Sequence, residues 1–287
     1  MRLSIIIPTR RFTDQLAVRI EAHRQLFPDA EIIVVEPSDL PLADDLLRDN
    51  GLRGASCSAG ALDGLDQLDQ IRKPDQTDRL DQPAEQGIGG SSSISTDSGV
   101  DSTATSGIQR LRAPRGRGTQ CNAGAARATG PLLLFLHDDT ALPVEAPGVV
   151  SNAFADPRTQ IACFRLRFDH EHWLLAIYAF CSRFDSSLTS FGDQGILIRR
   201  SFFAAIGGFP DWPLFEDVDL LNRARHRTRK RIKKLPAVVT TSTVRFLENG
   251  ILRQQLLNAE LMLRFSLGAS PESLRRRYEM RRGSSGS

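Results

Sequence analysis

The chain has 287 residues, a formal net charge of +3, 40% hydrophobic side chains and four cysteines. That length can bury a full core as one large domain. Cys57, Cys121, Cys163 and Cys181 show neither CxxC nor zinc-finger spacing, which excludes a zinc ribbon and makes reduced thiols in the cytoplasm the expectation. No run approaches the ~20 apolar residues of a membrane span, and the first apolar run is too short for a signal peptide. A protein that is soluble, or attached only peripherally at the inner face of the membrane, is expected.

The first element is the β-branched run Leu3-Ser4-Ile5-Ile6-Ile7, closed by Pro8-Thr9. Thr13 to Phe27 follows with Leu16, Ile20, Ala22, Leu26 and Phe27 roughly on one helical face. Glu31 to Val35 reads as a second buried strand, ending at Glu36-Pro37-Ser38-Asp39. Strand, helix, strand in this order implies a right-handed βαβ unit and a parallel sheet.

From 52 to 107 the composition changes to repeated Asp-Gln pairs and a Ser/Thr/Gly-rich tract. Such a segment cannot bury enough surface to offset its ordering entropy, and it is expected to be a disordered insertion. It carries nine acids and four bases, a net of −5, so the remainder holds +3 − (−5) = +8. The expected organisation is a globular body over 1–50 and 108–248, this insertion, a basic helical extension over 249–282 and a disordered tail over 283–287.

Gly130 to Thr140, GPLLLFLHDDT, is the most informative stretch. Leu132 to Leu136 is too short for a comfortable helix and reads as a strand buried on both faces. His137, Asp138 and Asp139 then emerge beyond its carboxyl end, where ligands of open α/β sheets bind. Two carboxylates beside an imidazole suit Mg²⁺ or Mn²⁺; the same acids also suit the start of a turn.

Further on come Gly192-Asp193-Gln194, a strand over Ile196 to Arg200, Gly207-Gly208-Phe209-Pro210, and Glu216-Asp217 opening a helix. Positive charge gathers late: sixteen Lys or Arg against four acids between Arg223 and Arg282. This reads either as a solvated helix face with a lysine-guarded strand edge, or as attraction to the phosphates of a donor or of lipid headgroups. Nucleic acid is not expected, because aromatic interleaving is sparse and no helix-turn-helix or RNA-binding signature accompanies the charge. Gly250 to Leu267 is expected to form an amphipathic helix, suited to packing on its own domain or resting on an anionic membrane.

SIIIPT at the start, GRGTQCNAGA leading to LLLFLHDDT, GDQGILIRR and GGFPDWPLFED together resemble a family 2 glycosyltransferase of the A-type fold. The likeness is greatest to a small bacterial subgroup with a Leu-His-x-Asp-Thr metal motif. It implies a Rossmann-like fold with a mixed, mostly parallel central sheet flanked by helices. It also implies inverting, Mn²⁺- or Mg²⁺-dependent transfer of a sugar from a nucleotide-diphospho-sugar to a hydroxyl acceptor, whether lipid, carotenoid-like or glycan.

On the same resemblance Asp139 is the direct metal ligand, His137 stands where many relatives carry the first acid, and Asp138 points toward sugar or ribose. Asp217 is nominated as general base, oriented by Glu216. Pro8, Thr9 and Glu36 take the nucleoside side, Arg115, Arg117 and Asn122 the phosphate side, and Asp193, Gln194 and Trp212 the sugar and acceptor pocket. A sugar nucleotidylyltransferase is disfavoured, since Pro8-Thr9-Arg10-Arg11 rather than a glycine-rich loop follows the first strand. Two other classes stay open: a catalytically silent nucleotide-binding module, and a basic protein that binds membranes peripherally.

Overall fold

The computed structural model describes residues 2–39 and 108–283. The insertion expected over 52–107 lies outside the described residues, as do Cys57 and the last four residues of the tail.

The described strands form one eight-stranded mixed sheet in the order β3-β2-β1-β4-β7-β6-β8-β5. Its first half comprises β1 (Leu3–Pro8), β2 (Glu31–Pro37), β3 (Ile108–Ala113) and β4 (Leu132–Phe135). All are parallel, with Ile5 opposite Ile32 on one side and Leu134 on the other. Helix α1 (Asp14–Leu26) links β1 to β2, and the Thr13 hydroxyl caps its first turn by accepting from the Leu16 N–H, satisfying one of the orphan donors of a helix start.

The second half is mixed. β7 (Ile196–Arg199) and β6 (Ile161–Phe168) continue the sheet antiparallel, β8 (Lys233–Thr241) runs parallel to β6, and β5 (Thr140–Ala141) touches only the end of β8. The strand expected through Arg200 stops at Arg199, because Arg200 opens α5 (Arg200–Ala205).

Alternation along each strand divides the core between the two faces of the sheet. On one face Ile5, Ile7, Ile32, Val34 and Leu134 pack with Leu16 and Ile20 of α1 and Val150 and Phe154 of α3 (Ala146–Ala155). On the other, Ile6, Ile33, Leu133 and Phe135 meet Cys121 of α2 (Arg117–Arg127), Phe203 of α5 and Leu220 of α6 (Glu216–Thr228). Each fully buried Ile or Leu contributes about 1.5–3 kcal/mol, so these faces fix the register. Gly124 makes the α2–β1 approach possible: a Cβ there would lie 2.5 Å from Ile6 Cγ2.

The chain runs from β1 outward to β2 and β3, then returns to place β4 on β1's other side. The strand order therefore reverses at the β1–β4 boundary, the switch point where a crevice opens beyond the carboxyl ends. The basic run expected as helix face and strand edge divides between the end of α6 and the start of β8. β8 pairs with β5 only through Thr240 and Thr241. At the end of the described chain, after the short α7 (Val244–Asn249), α8 (Ile251–Ser266) packs on α9 (Pro271–Gly283) through Leu257, Leu261 and Leu274. Cys121, Cys163 and Cys181 are free thiols.

Candidate active site

Four chain segments meet at the β1–β4 crevice. Pro8 ends β1, His137 follows β4, Arg117 opens α2 and Asp217 lies in the first turn of α6; together with Gly192 they line a cavity of about 10 Å³, room for one water-sized group. Arg117 holds the cluster together. Its Nη1 lies 3.0 Å from Nε2 of His137, its Nε donates to Oε1 of Glu216, and its Nη2 lies 3.6 Å from Oδ2 of Asp217. Because a guanidinium only donates, Nε2 of His137 is the acceptor in that contact.

Glu216 and Asp217 are buried, with 2% and 6% of their surface exposed. Burial raises the Glu216 carboxyl, Arg117 opposes this, and Asp217 adds to it. Burial also works against the charge on Arg117, but the two carboxylates outweigh it and the guanidinium is held charged. Both oxygens of Asp217 accept backbone bonds, Oδ2 from Gly192 N at 2.6 Å and Oδ1 from Val218 N at 2.8 Å. Only glycine allows the first: a Cβ at Gly192 would lie 2.9 Å from Asp217 Oδ2 and 3.1 Å from His137 Nε2. Just before the acidic pair, Phe215 adopts a left-handed φ of 64°. That conformation is costly for a side chain with a Cβ, and Phe215 is held in it by stacking on Phe265 at 4.7 Å. Three acids in the first turn of α6 also favour the helix dipole.

Asp193 belongs to a short 3-10 turn, Gly192–Gln194. Burial and, next, the charge of Asp217 push its carboxyl up to about 7, with Asp139 adding to the rise. Its Oδ1 is buried without a hydrogen-bond partner, and its Oδ2 receives only a long contact of 3.5 Å from the Tyr178 hydroxyl. Burial first and Asp193 second raise Tyr178 in turn. Nothing in the sequence around Tyr178 marks it; it reaches the site because α4 (Trp173–Cys181) crosses beside the turn, stacking Tyr178 on Phe191.

The remaining expected residues divide into those at the crevice and those held elsewhere. The Thr9 hydroxyl donates to Asp138 Oδ2 at 2.7 Å, tying the ends of β1 and β4 together, and Arg19 caps the Asp138 carbonyl at 2.9 Å. Glu36 accepts from Phe12 N and pairs with Arg110 at 2.8 Å, so both its oxygens are engaged. Arg115 pairs with Asp39 near the end of β2, exposed to solvent. Asn122 spends both ends of its amide on the Phe209 backbone, at 2.8 and 2.9 Å, and so braces the Gly207–Gly208 turn. Gln194 is fully buried, donating to the Thr189 carbonyl and accepting from Lys234. Trp212 packs edge-on against Phe265 at 6.1 Å.

Asp139 does not line the small cavity. Its Oδ1 receives the Thr241 hydroxyl at 3.2 Å and the Thr140 hydroxyl at 3.3 Å, donors that orient a carboxylate as outer-shell groups do around metals. Among the described residues no group of three or more His, Cys, Asp or Glu side chains is placed to enclose a metal. A hard carboxylate oxygen nonetheless fits Mg²⁺ or Mn²⁺, ions that commonly take one or two protein carboxylates and complete their shell with substrate phosphates and water.

No family model matches the sequence, and no curated protein matches it. Solved structures similar to the chain include a mannosyltransferase, PcManGT from Pyrobaculum calidifontis, in complex with GDP-Man and Mn²⁺, at 12% identity and a TM-score of 0.48 over 83% of this chain and 56% of that one. S. aureus TarS 1–349 is similar at 11% identity and a TM-score of 0.49, over 85% of this chain and 61% of that one. The same TarS fragment in complex with UDP-GlcNAc is similar at 10% identity and a TM-score of 0.49, over 84% and 58%. The chain thus spans less than two thirds of the proteins it is similar to.

Proposed function

We propose that this chain transfers a sugar from a nucleotide-diphospho-sugar to a hydroxyl acceptor, with inversion at the anomeric carbon and with Mn²⁺ or Mg²⁺ at Asp139. The observation that carries this reading is the convergence of Arg117, His137, Gly192, Glu216 and Asp217 at the switch point of the sheet. It sets one cation and two buried acids beyond the ends of β1 and β4, where a nucleotide-binding sheet presents its ligand.

When bound, the metal would neutralise charge on the departing diphosphate. His137 engages Arg117 through Nε2, so Asp139 is the residue that would hold the metal. Thr9 and Asp138 shape the floor beneath the nucleoside. The acceptor hydroxyl needs a group to take its proton as its oxygen bonds to the anomeric carbon and the bond to the diphosphate breaks. Asp217 takes it, oriented by the N–H groups of Gly192 and Val218, with Glu216 holding Arg117 beside it. Domain limits of 1–50 and 108–248 for the catalytic body, with 249–282 as an extension, suit this assignment.

A thermal-shift titration with nucleoside diphosphates, with and without Mn²⁺, tests the reading. At 100 times Kd a ligand stabilises by about 2.7 kcal/mol. The wild-type chain is expected to show a metal-dependent gain, and Asp139→Asn to lose it. No shift with any nucleoside diphosphate would remove the proposal.

One observation favours a second assignment of the proton acceptor. Asp193, near neutrality and with an unpartnered oxygen, has the property sought in a general base. If it takes the proton, Asp193→Asn abolishes the rise of rate through about pH 7; if it only holds a hydroxyl, that rise survives with a weaker acceptor KM.

A further inference from the structure

Helix α4 has two different faces. Leu175 and Tyr178 turn inward, Leu175 being 1% exposed and Tyr178 resting on Phe168 at 5.6 Å and Phe191 at 5.9 Å. Trp173, Ile177 and Phe180 turn outward, 66%, 54% and 55% exposed. Their spacing of four and three residues places them in one stripe. Large apolar side chains seldom stand in a row in water without a surface to meet.

Beside that stripe runs a groove of about 1030 Å³ whose floor is the outer face of β6 and β8. Arg165, Arg167 and Arg183 line it. The buried Nε of Arg165 has no hydrogen-bond partner. Arg167 rests on the Thr240 hydroxyl at 2.9 Å, and Arg183 lies over the Phe180 ring at 5.4 Å. Of the two acids on the groove, Asp169 is spent on the Thr243 N–H and hydroxyl at 2.8 and 2.6 Å, and Glu171 is exposed at its rim. Among the described residues no helix is long and apolar enough to cross a membrane.

We propose that the α4 face and its arginine-lined groove dock on the surface of an anionic lipid bilayer. An indole and a phenyl ring beside guanidinium groups match the interfacial zone, where rings sit among headgroups and arginines meet phosphates. The basic extension over α8 and α9 also exposes Leu252, Leu256 and Leu263, but that stripe carries no exposed aromatic ring, and Arg264, Arg277 and Arg281 all pair with Glu260. Docking through α4 brings the bilayer beside the element that carries Tyr178 to Asp193. On the transferase reading, on which this last step alone rests, the acceptor hydroxyl then belongs to a membrane lipid.

The test uses the full chain carrying Trp212→Phe, which leaves Trp173 as the one tryptophan. With phosphatidylglycerol vesicles its emission is expected to shift to the blue and the protein to float with the lipid, at least tenfold more than with phosphatidylcholine. Ile177→Ser with Phe180→Ser removes the shift. Arg165→Gln with Arg167→Gln lowers the partition coefficient by roughly 25-fold, about fivefold for each arginine. Leu256→Ser on α8 and Asp217→Asn leave flotation unchanged. Equal flotation with both lipids, unmoved Trp173 emission, loss through Leu256→Ser alone, or a blue shift that follows protein concentration without vesicles would each overturn the proposal. The last would mark α4 as an interface between copies. Nucleoside-diphosphate binding, read in the same variants by thermal shift, reports separately on the transferase reading.

Discussion

In β1, β2 and β4 nearly every side chain is buried, whereas in β8 buried Leu235, Ala237, Val239 and Thr241 alternate with Lys234, Pro236, Val238 and Thr240. The first group is covered by helices on both faces, as parallel strands are. β8 is covered on one face, and its other face floors the α4 groove. The half that reads as continuous apolar sequence ends at the crevice, where the proposed reading puts the nucleoside. The half with a free face is where an acceptor would approach.

If one half binds and the other reacts, Asp217→Asn should separate the two functions most widely. Turnover is expected to fall about 10²–10⁴-fold while nucleoside-diphosphate affinity stays within about twofold, measured by single-turnover kinetics beside calorimetric titration. An equal loss of both would merge the halves into one binding unit.

The difference in burial has its own test. Leu134→Ala in β4 is expected to cost about 2–5 kcal/mol, and Val238→Ala in β8 under about 1 kcal/mol, read from urea unfolding midpoints. Comparable costs would mean that the outer face of β8 is covered in solution.

Protons sharpen the contrast with two effects of opposite sign. Burial, with the charge of Arg19, lowers His23 on α1 to about 4. The unfolded chain then binds the extra proton, so the stability His23 confers is present above pH 6.5 and is lost as pH falls toward 4, about 3 kcal/mol in all. Asp193 behaves the other way. Its raised carboxyl keeps the proton in the folded chain, so stability declines as pH rises from about 4 to about 7, by at most about 4 kcal/mol. In metal-free buffer His23→Leu should flatten the acid limb and Asp193→Asn the neutral limb of a stability–pH curve.

Legibility in the sequence follows the same division. β1, β2 and β4 announced themselves because strands buried on both faces need uninterrupted Ile, Val and Leu, and α1, legible over Thr13 to Phe27 from its apolar face, spans Asp14–Leu26 with those two residues as its caps. β6, IACFRLRF, was not singled out, since two arginines interrupt its apolar run on the face turned to the groove. Of β8 only the lysine-guarded start is legible; Pro236, which a strand tolerates at an edge, masks the rest, and here β5 covers only its last two residues. At the site, the positions of Pro8, His137, Glu216 and Asp217 were readable from the resemblance and from the element each closes or opens beside a turn. The roles of Gly192 and Tyr178 were not, because they come from tertiary contacts across 25 and 15 residues. Arg117 was named for phosphate, while its engagement with His137 and both acids depends on α2 and α6 lying side by side.

Arg117 has one more consequence. It is carried by a helix packed on the parallel strands, while Glu216 and Asp217 come from a helix that follows the antiparallel ones. The Arg117 side chain keeps 39% of its surface exposed, but without it the second portion would hold two neighbouring buried acids with no cation between them. Melting of the two portions should therefore be a single concerted event, with one side chain acting as the clasp.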